Sequence, residues 1–114
     1  MTFQRACALT DIAVGAAAPV EIDGIEVAIV RCDDDAVFAV RDECSHASIP
    51  LSEGEVDAAD CEIECWLHGS RFDLRTGEPT GLPAYEPVPV YPCKVDGDDV
   101  VVDVENPLNQ GALA

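Results

Sequence analysis

The chain holds two histidines, and each stands beside a cysteine, in Cys44-Ser45-His46 and Cys65-Trp66-Leu67-His68. Between His46 and Cys65 lie 18 residues. Two thiolates and two imidazoles delivered by two short segments make a metal-ligand set. Zinc accepts such a set in a tetrahedron, but its sites usually group like ligands, as C-x2-4-C followed by H-x3-5-H. Here each segment supplies one of each kind, with one residue between the pair in the first segment and two in the second. A pair of sulfide-bridged irons suits that pattern better. One iron takes both thiolates, the other takes both imidazoles, and each segment spans the cluster.

Ligands of this kind need rigid elements behind short loops, and the flanking sequence reads as strands. Val20-Glu21-Ile22, Asp23-Gly24 and the apolar-rich run 25–30 predict a two-residue hairpin, because Asp-Gly suits the primed turns that match strand twist. A turn at Asp33-Asp34-Asp35 leads into a strand over 36–40. Residues 88–95 and 100–104 flank Asp96-Gly97-Asp98-Asp99, a further hairpin. Prolines 79, 83, 87, 89 and 92 exclude a helix through that region. Helix is expected only as a turn near 9–14, where Thr10 or Asp11 would cap it. The expected fold is all-β, a small antiparallel sandwich or barrel scaffold with an inserted cluster-binding subdomain over about 42–83. One domain covers 1–105, and 106–114 is a frayed tail.

Composition narrows the function classes. The chain of 114 residues carries 23 acidic and 6 basic side chains, a net charge of -17. That field repels phosphate backbones and anionic lipid, so neither nucleic acid nor a membrane is an expected partner. It either steers the protein toward basic protein surfaces or serves solubility in an acidic proteome. The longest weakly polar stretch, 12–20, falls short of the roughly 20 apolar residues a membrane helix needs. The first residues lack the charged start and apolar run of a secretory signal, which makes a cytoplasmic, reducing location the expectation. Cys7, Cys32, Cys61 and Cys93, each in an apolar or alternating stretch, are accordingly expected as reduced core thiols, with Cys61 and Cys65 as an alternative redox pair.

The run C-S-H, then C-W-L-H-G-S-R-F-D-L-R-T-G from Cys65, then Gly81-Leu82-Pro83 resembles the Rieske-type [2Fe–2S] ferredoxins, the soluble ferredoxin components of bacterial aromatic-ring-hydroxylating (non-haem iron) oxygenases. The resemblance extends to Leu51-Ser52-Glu53-Gly54 and the closing hairpin, with an insertion implied around Ala58-Ala59-Asp60. It implies the Rieske fold and one [2Fe–2S] cluster held by Cys44, His46, Cys65 and His68. The extra cysteines that form a disulfide beside the cluster in respiratory relatives are missing from both ligand segments. Ser70 matches a serine that donates to a bridging sulfide in high-potential relatives, and Phe72 stands where they carry tyrosine. Neutral imidazoles place such clusters at roughly −150 to +300 mV. With one donor lost and acid all around, the lower half of that window is expected here.

Leu51, Leu67, Leu82 and Pro83 would form an apolar collar, ordinary loop packing or both at once, and Trp66, beside a ligand, is expected to pack simply rather than to serve as an electron conduit. Arg71 and Arg75 mark either a docking contact or neutralisation of nearby acid. The implied role is a one-electron carrier from a flavin reductase to a terminal oxygenase, a monomer or weak oligomer and not an enzyme by itself. The alternatives are an accessory ferredoxin of iron–sulfur cluster assembly, the small subunit of a nitrite reductase, and a zinc-stabilised interaction domain.

Overall fold

The computed structural model describes residues 3–34, 36–43, 49–66, 69–81 and 87–108. The first strand, β1 (Gln4–Ala8), runs into a single 3-10 turn at Leu9–Asp11, the only realised part of the helical turn expected near 9–14. Asp11 Oδ2 accepts from the Ala8 backbone N–H at 3.1 Å and holds that turn. Next come β2 (Ala16–Ile22) and β3 (Ile25–Arg31), joined at Asp23 and Gly24, whose φ values of 53° and 80° are those of the expected primed hairpin. Then follow β4 (Val37–Arg41), a 3-10 turn at Leu51–Glu53, β5 (Glu55–Asp57), β6 (Glu62–Glu64), β7 (Arg71–Asp73) and β8 (Pro79–Gly81). The chain closes with β9 (Val90–Tyr91), β10 (Cys93–Asp96) and β11 (Asp99–Val102).

All pairings among these strands are antiparallel, and they make three sheets, ordered β1-β11-β10, β2-β3-β4-β9 and β5-β6-β7-β8. The second sheet is the middle layer. Val27 and Ile29 of β3 join Cys7, Ile12, Val100 and Val102 in one core. Ala28 and Val30, alternating with them, join Ile63, Cys65, Phe72 and Leu74 in another. Successive residues of a strand face opposite ways, so a strand covered on both sides must be apolar at consecutive positions. The uninterrupted Val27-Ala28-Ile29-Val30 run, all fully buried, is that signature.

The single strand expected over 88–95 is two. Pro92 offers no N–H to a ladder, and there the chain leaves the middle sheet at β9 and enters the first sheet at β10.

The cysteines correct a second expectation. Cys7 and Cys93 are free, as expected. Burial pushes the Cys93 thiol up to about 12, with the nearby Cys7 adding to it, and burial raises Cys7 as well. Both stay protonated at neutral pH. Cys32 and Cys61, in contrast, form a disulfide with Cα atoms 5.7 Å apart. Cys32 continues the Ala28, Val30 side of the middle sheet, and Cys61 precedes β6 in the third, so the two meet in the core between those layers. An apolar sequence context shows that a thiol is buried, not which other thiol it faces.

Candidate metal centre

The pairing of Glu64 with Arg71 brings Cys65 and Ser70 side by side at the end of β6 and β7. The Cys65 N–H donates to the Ser70 carbonyl at 2.7 Å, and the Gly69 N–H donates to the Cys65 carbonyl at 3.0 Å. Gly69 has φ +78°, a value that L side chains rarely adopt and glycine adopts freely. The loop turns Cys65 inward, free of any disulfide, against Ile63, Phe72 and Leu74. Ser70 is fully buried, and among the described residues its Oγ has no hydrogen-bond partner. A buried hydroxyl without a partner costs about 1–3 kcal/mol, so an acceptor is called for beside it.

The chain on either side of the other ligand segment is clamped. Asp42, almost fully buried, accepts from the Ser52 N–H and from the Ser52 hydroxyl, each at 2.7 Å. Its own N–H donates to the Glu26 carbonyl at 2.9 Å and ties the clamp to the middle sheet. Residues 42 and 52, which flank Cys44 and His46 in the sequence, are thereby held together. Ser52→Ala removes the hydroxyl donor from a buried carboxylate and leaves the backbone N–H donor in place, and unfolding experiments are expected to show a loss of about 2 kcal/mol. A change under 0.5 kcal/mol would show that water replaces the hydroxyl bond.

Gly54 completes the support. A β-carbon there would overlap the backbone carbonyl of Glu64, the residue before Cys65. Neither this close approach nor the Asp42–Ser52 clamp was singled out from sequence. The only available signal was a buried-looking Asp just before the first ligand segment and the Leu-Ser-Glu-Gly run just after it.

Of the residues expected to form the site, Cys65 and Ser70 are brought together, while Cys44, His46, His68, Leu82 and Pro83 lie outside the described residues, as does Leu67. Leu51 is fully buried and belongs to the core rather than to an exposed collar. Trp66 corrects its expectation: it is 53% exposed, because Cys65 takes the inward position of the loop and its neighbour is left facing out. Arg71 lies 3.4 Å from Glu64, 3.7 Å from Asp57 and 3.9 Å from Glu62, and Arg75 lies 3.9 Å from Asp73. Both arginines offset acid on their own sheet, the second of the two readings left open for them.

The three-layer all-β scaffold thus buries, in one loop, a free cysteine and a serine hydroxyl with no partner among the described residues. The chain belongs to the Rieske [2Fe-2S] domain family, whose model matches residues 2–92. It is 41% identical over 103 residues to the biphenyl dioxygenase ferredoxin subunit of Pseudomonas sp. (strain KKS102), covering 90% of this chain and 93% of that one. Among solved structures it is similar to the ferredoxin of carbazole 1,9a-dioxygenase from Nocardioides aromaticivorans IC177, at 42% identity and a TM-score of 0.84, covering 90% of this chain and 97% of the other. The ferredoxin in a complex of reduced oxygenase and oxidised ferredoxin of carbazole 1,9a-dioxygenase matches at 34% identity and a TM-score of 0.80, with 88% and 91% covered. The family's prosthetic group is one [2Fe–2S] cluster, and what is described of this loop fits it: an inward thiol and a buried hydroxyl donor awaiting an acceptor.

Proposed function

We propose that the protein is a one-electron carrier that takes an electron from a flavin reductase and delivers it to a terminal oxygenase. The observation that carries this reading is the pairing of Cys65 with Ser70, where a free buried thiol and a buried hydroxyl without a partner among the described residues stand in the family's ligand segment. Cys44, His46, Cys65 and His68 would hold the cluster, which supplies reversible one-electron transfer when bound. The chain's own residues do the rest. Ser70 would donate to a sulfur, and Leu82 and Pro83 would cover the site. Residues 1–105 would act as one unit, with about 42–83 devoted to the cluster. Trp66 leaves an aromatic surface beside a ligand, the residue type that contributes most at protein contacts. The relatives named above are ferredoxin components of dioxygenases, and one of them is seen with its oxygenase.

The test is spectroscopic. Purified protein, reduced by one electron, should give a Rieske-type EPR signal, and a colourless preparation with bound zinc would refute the reading. Protein-film voltammetry should place the couple in the lower half of the roughly −150 to +300 mV window. Ser70→Ala should lower it further. A hydrogen bond about 1–2 kcal/mol stronger in the reduced state corresponds to roughly 40–90 mV for one electron. An unchanged potential would mean that the Ser70 hydroxyl does not reach the cluster.

A cytoplasmic location goes with this role. It sets the Cys32–Cys61 bond against a reducing thiol pool.

A further inference from the structure

The Cys32–Cys61 bond joins residues 29 apart in sequence, and the chain it encloses contains β4, the whole first ligand segment and β5. Four positions beyond Cys61 stands Cys65, and all three sulfur-bearing residues belong to one core. The bond therefore ties the first ligand segment to the start of the second and fastens the third sheet to the middle one. Cys61 itself has φ 54°, in the left-handed region that residues other than glycine seldom occupy. Besides the disulfide, the turn before β6 is held by the Leu74 N–H donating to the Cys61 carbonyl at 3.0 Å and by Arg75 Nη1 donating to the Asp60 carbonyl at 3.2 Å.

We propose that Cys32–Cys61 is a thiol-redox site that sets how long the chain keeps its cluster, with a dithiol as the reductant. The inference rests on the reading above that the chain holds a cluster. Its chemistry is a two-electron exchange. A thiolate of the dithiol attacks the Cys32 sulfur, the Cys32–Cys61 bond breaks, and Cys61 leaves and takes a proton. The second thiol of the reductant then closes on the first and releases Cys32, which takes the other proton. Cys32 keeps 9% of its surface exposed and Cys61 only 1%, so the attack comes from the Cys32 side. The leaving Cys61 thiolate would form in an apolar core, where charge is disfavoured. A monothiol is then a poor reductant, because Cys61 attacks the mixed disulfide and re-forms the bond before Cys32 is released, while the second thiol of a dithiol releases Cys32 first. Once reduced, the turn before β6 keeps its hydrogen bonds, among them the Asp60 N–H donating to Asp57 Oδ1 at 3.2 Å, and its core contacts but no covalent tie to the middle sheet, and the cluster-bearing loop loosens.

The experiment follows cluster release from aerobically purified holo-protein. One sample is reduced anaerobically with a phosphine and one is left untreated. An iron chelator is then added, and the decay of visible absorbance is recorded. Mass spectrometry after alkylation counts the thiols in each sample. Release is expected to be at least ten-fold faster once the bond is open. The Cys32→Ala/Cys61→Ala double variant should release at that faster rate with or without phosphine, which separates loss of the bond from attack of phosphine on the cluster. Should the double variant not fold, the two wild-type samples, compared with a dithiol in place of phosphine, still decide. Equal rates with the bond counted intact and counted open overturn the proposal, as does holo-protein whose Cys32 and Cys61 alkylate without reductant. A preparation with no Rieske signal fails the functional reading instead, so the two failures are told apart.

Discussion

Cys65→Ala protein is expected to purify folded, colourless and without a Rieske EPR signal. The side chain lost is small, and a cavity the size of a sulfur costs on the order of 1 kcal/mol. Ile63, Phe72 and Leu74 keep the same core closed around it. The loop backbone does not depend on the sulfur either, since it is closed by bonds from the Cys65 N–H and to the Cys65 carbonyl. Loss of the Cys65 thiolate, in contrast, would remove one of the two thiolates proposed to hold the cluster. The control is Cys7→Ala. Cys7 is also buried and free, but it packs in the core on the other side of the middle sheet. Both variants delete one buried thiol, and only the first should lose colour and signal. His68→Ala should lose the signal as well. Equal cluster content in Cys65→Ala and Cys7→Ala, measured as iron per chain, would remove Cys65 from the ligand set.

How far the sequence showed this depends on the kind of interaction. The Cys-His motifs are local and chemically unusual, so Cys65 stands out as a candidate from its neighbours alone, and the structure buries it as a free thiol. The Asp23-Gly24 hairpin was equally legible, because its φ values are demanded by two adjacent residues. The layering was legible only in part. Alternation marks a strand with one wet face, whereas Val27–Val30, buried on both faces, shows an apolar run that fits several architectures. The split at Pro92 was missed because the prolines were weighed against helix and not against ladder pairing. The disulfide, the Asp42–Ser52 clamp and the Glu64 carbonyl over Gly54 each join residues 10 or more positions apart. No local pattern specifies such partners. They become visible only when the sheets are in place. Trp66 differs from its expectation because tryptophan usually contributes to a core, and the inward position here belongs to the neighbouring Cys65.

Gly54→Ala is expected to damage the centre without touching a ligand. The added β-carbon would overlap the Glu64 carbonyl and lie 3.3 Å from the Leu51 carbonyl, so backbone crowds it from two directions. A flexible side chain could swing away from such an intrusion, but a strand carbonyl cannot. Glu64 pairs with Glu55 on one side and Arg71 on the other, and moving it displaces Cys65 directly. Overpacking against side chains already costs about 1–3 kcal/mol, so about 3 kcal/mol or more is expected here, a fall of roughly 10–20 °C in Tm for a domain of this size. Cluster content should fall with it. Gly24→Ala is the comparison that isolates the cause. Gly24 has φ +80° but nothing within 4 Å of its β-carbon position, so only backbone strain of about 1 kcal/mol applies. That variant should keep its cluster and lose a few degrees of Tm. If Gly54→Ala matched it on both measures, the crowding at Glu64 would have to relax elsewhere, and the close approach of β5 and β6 would not be what holds Cys65 in place.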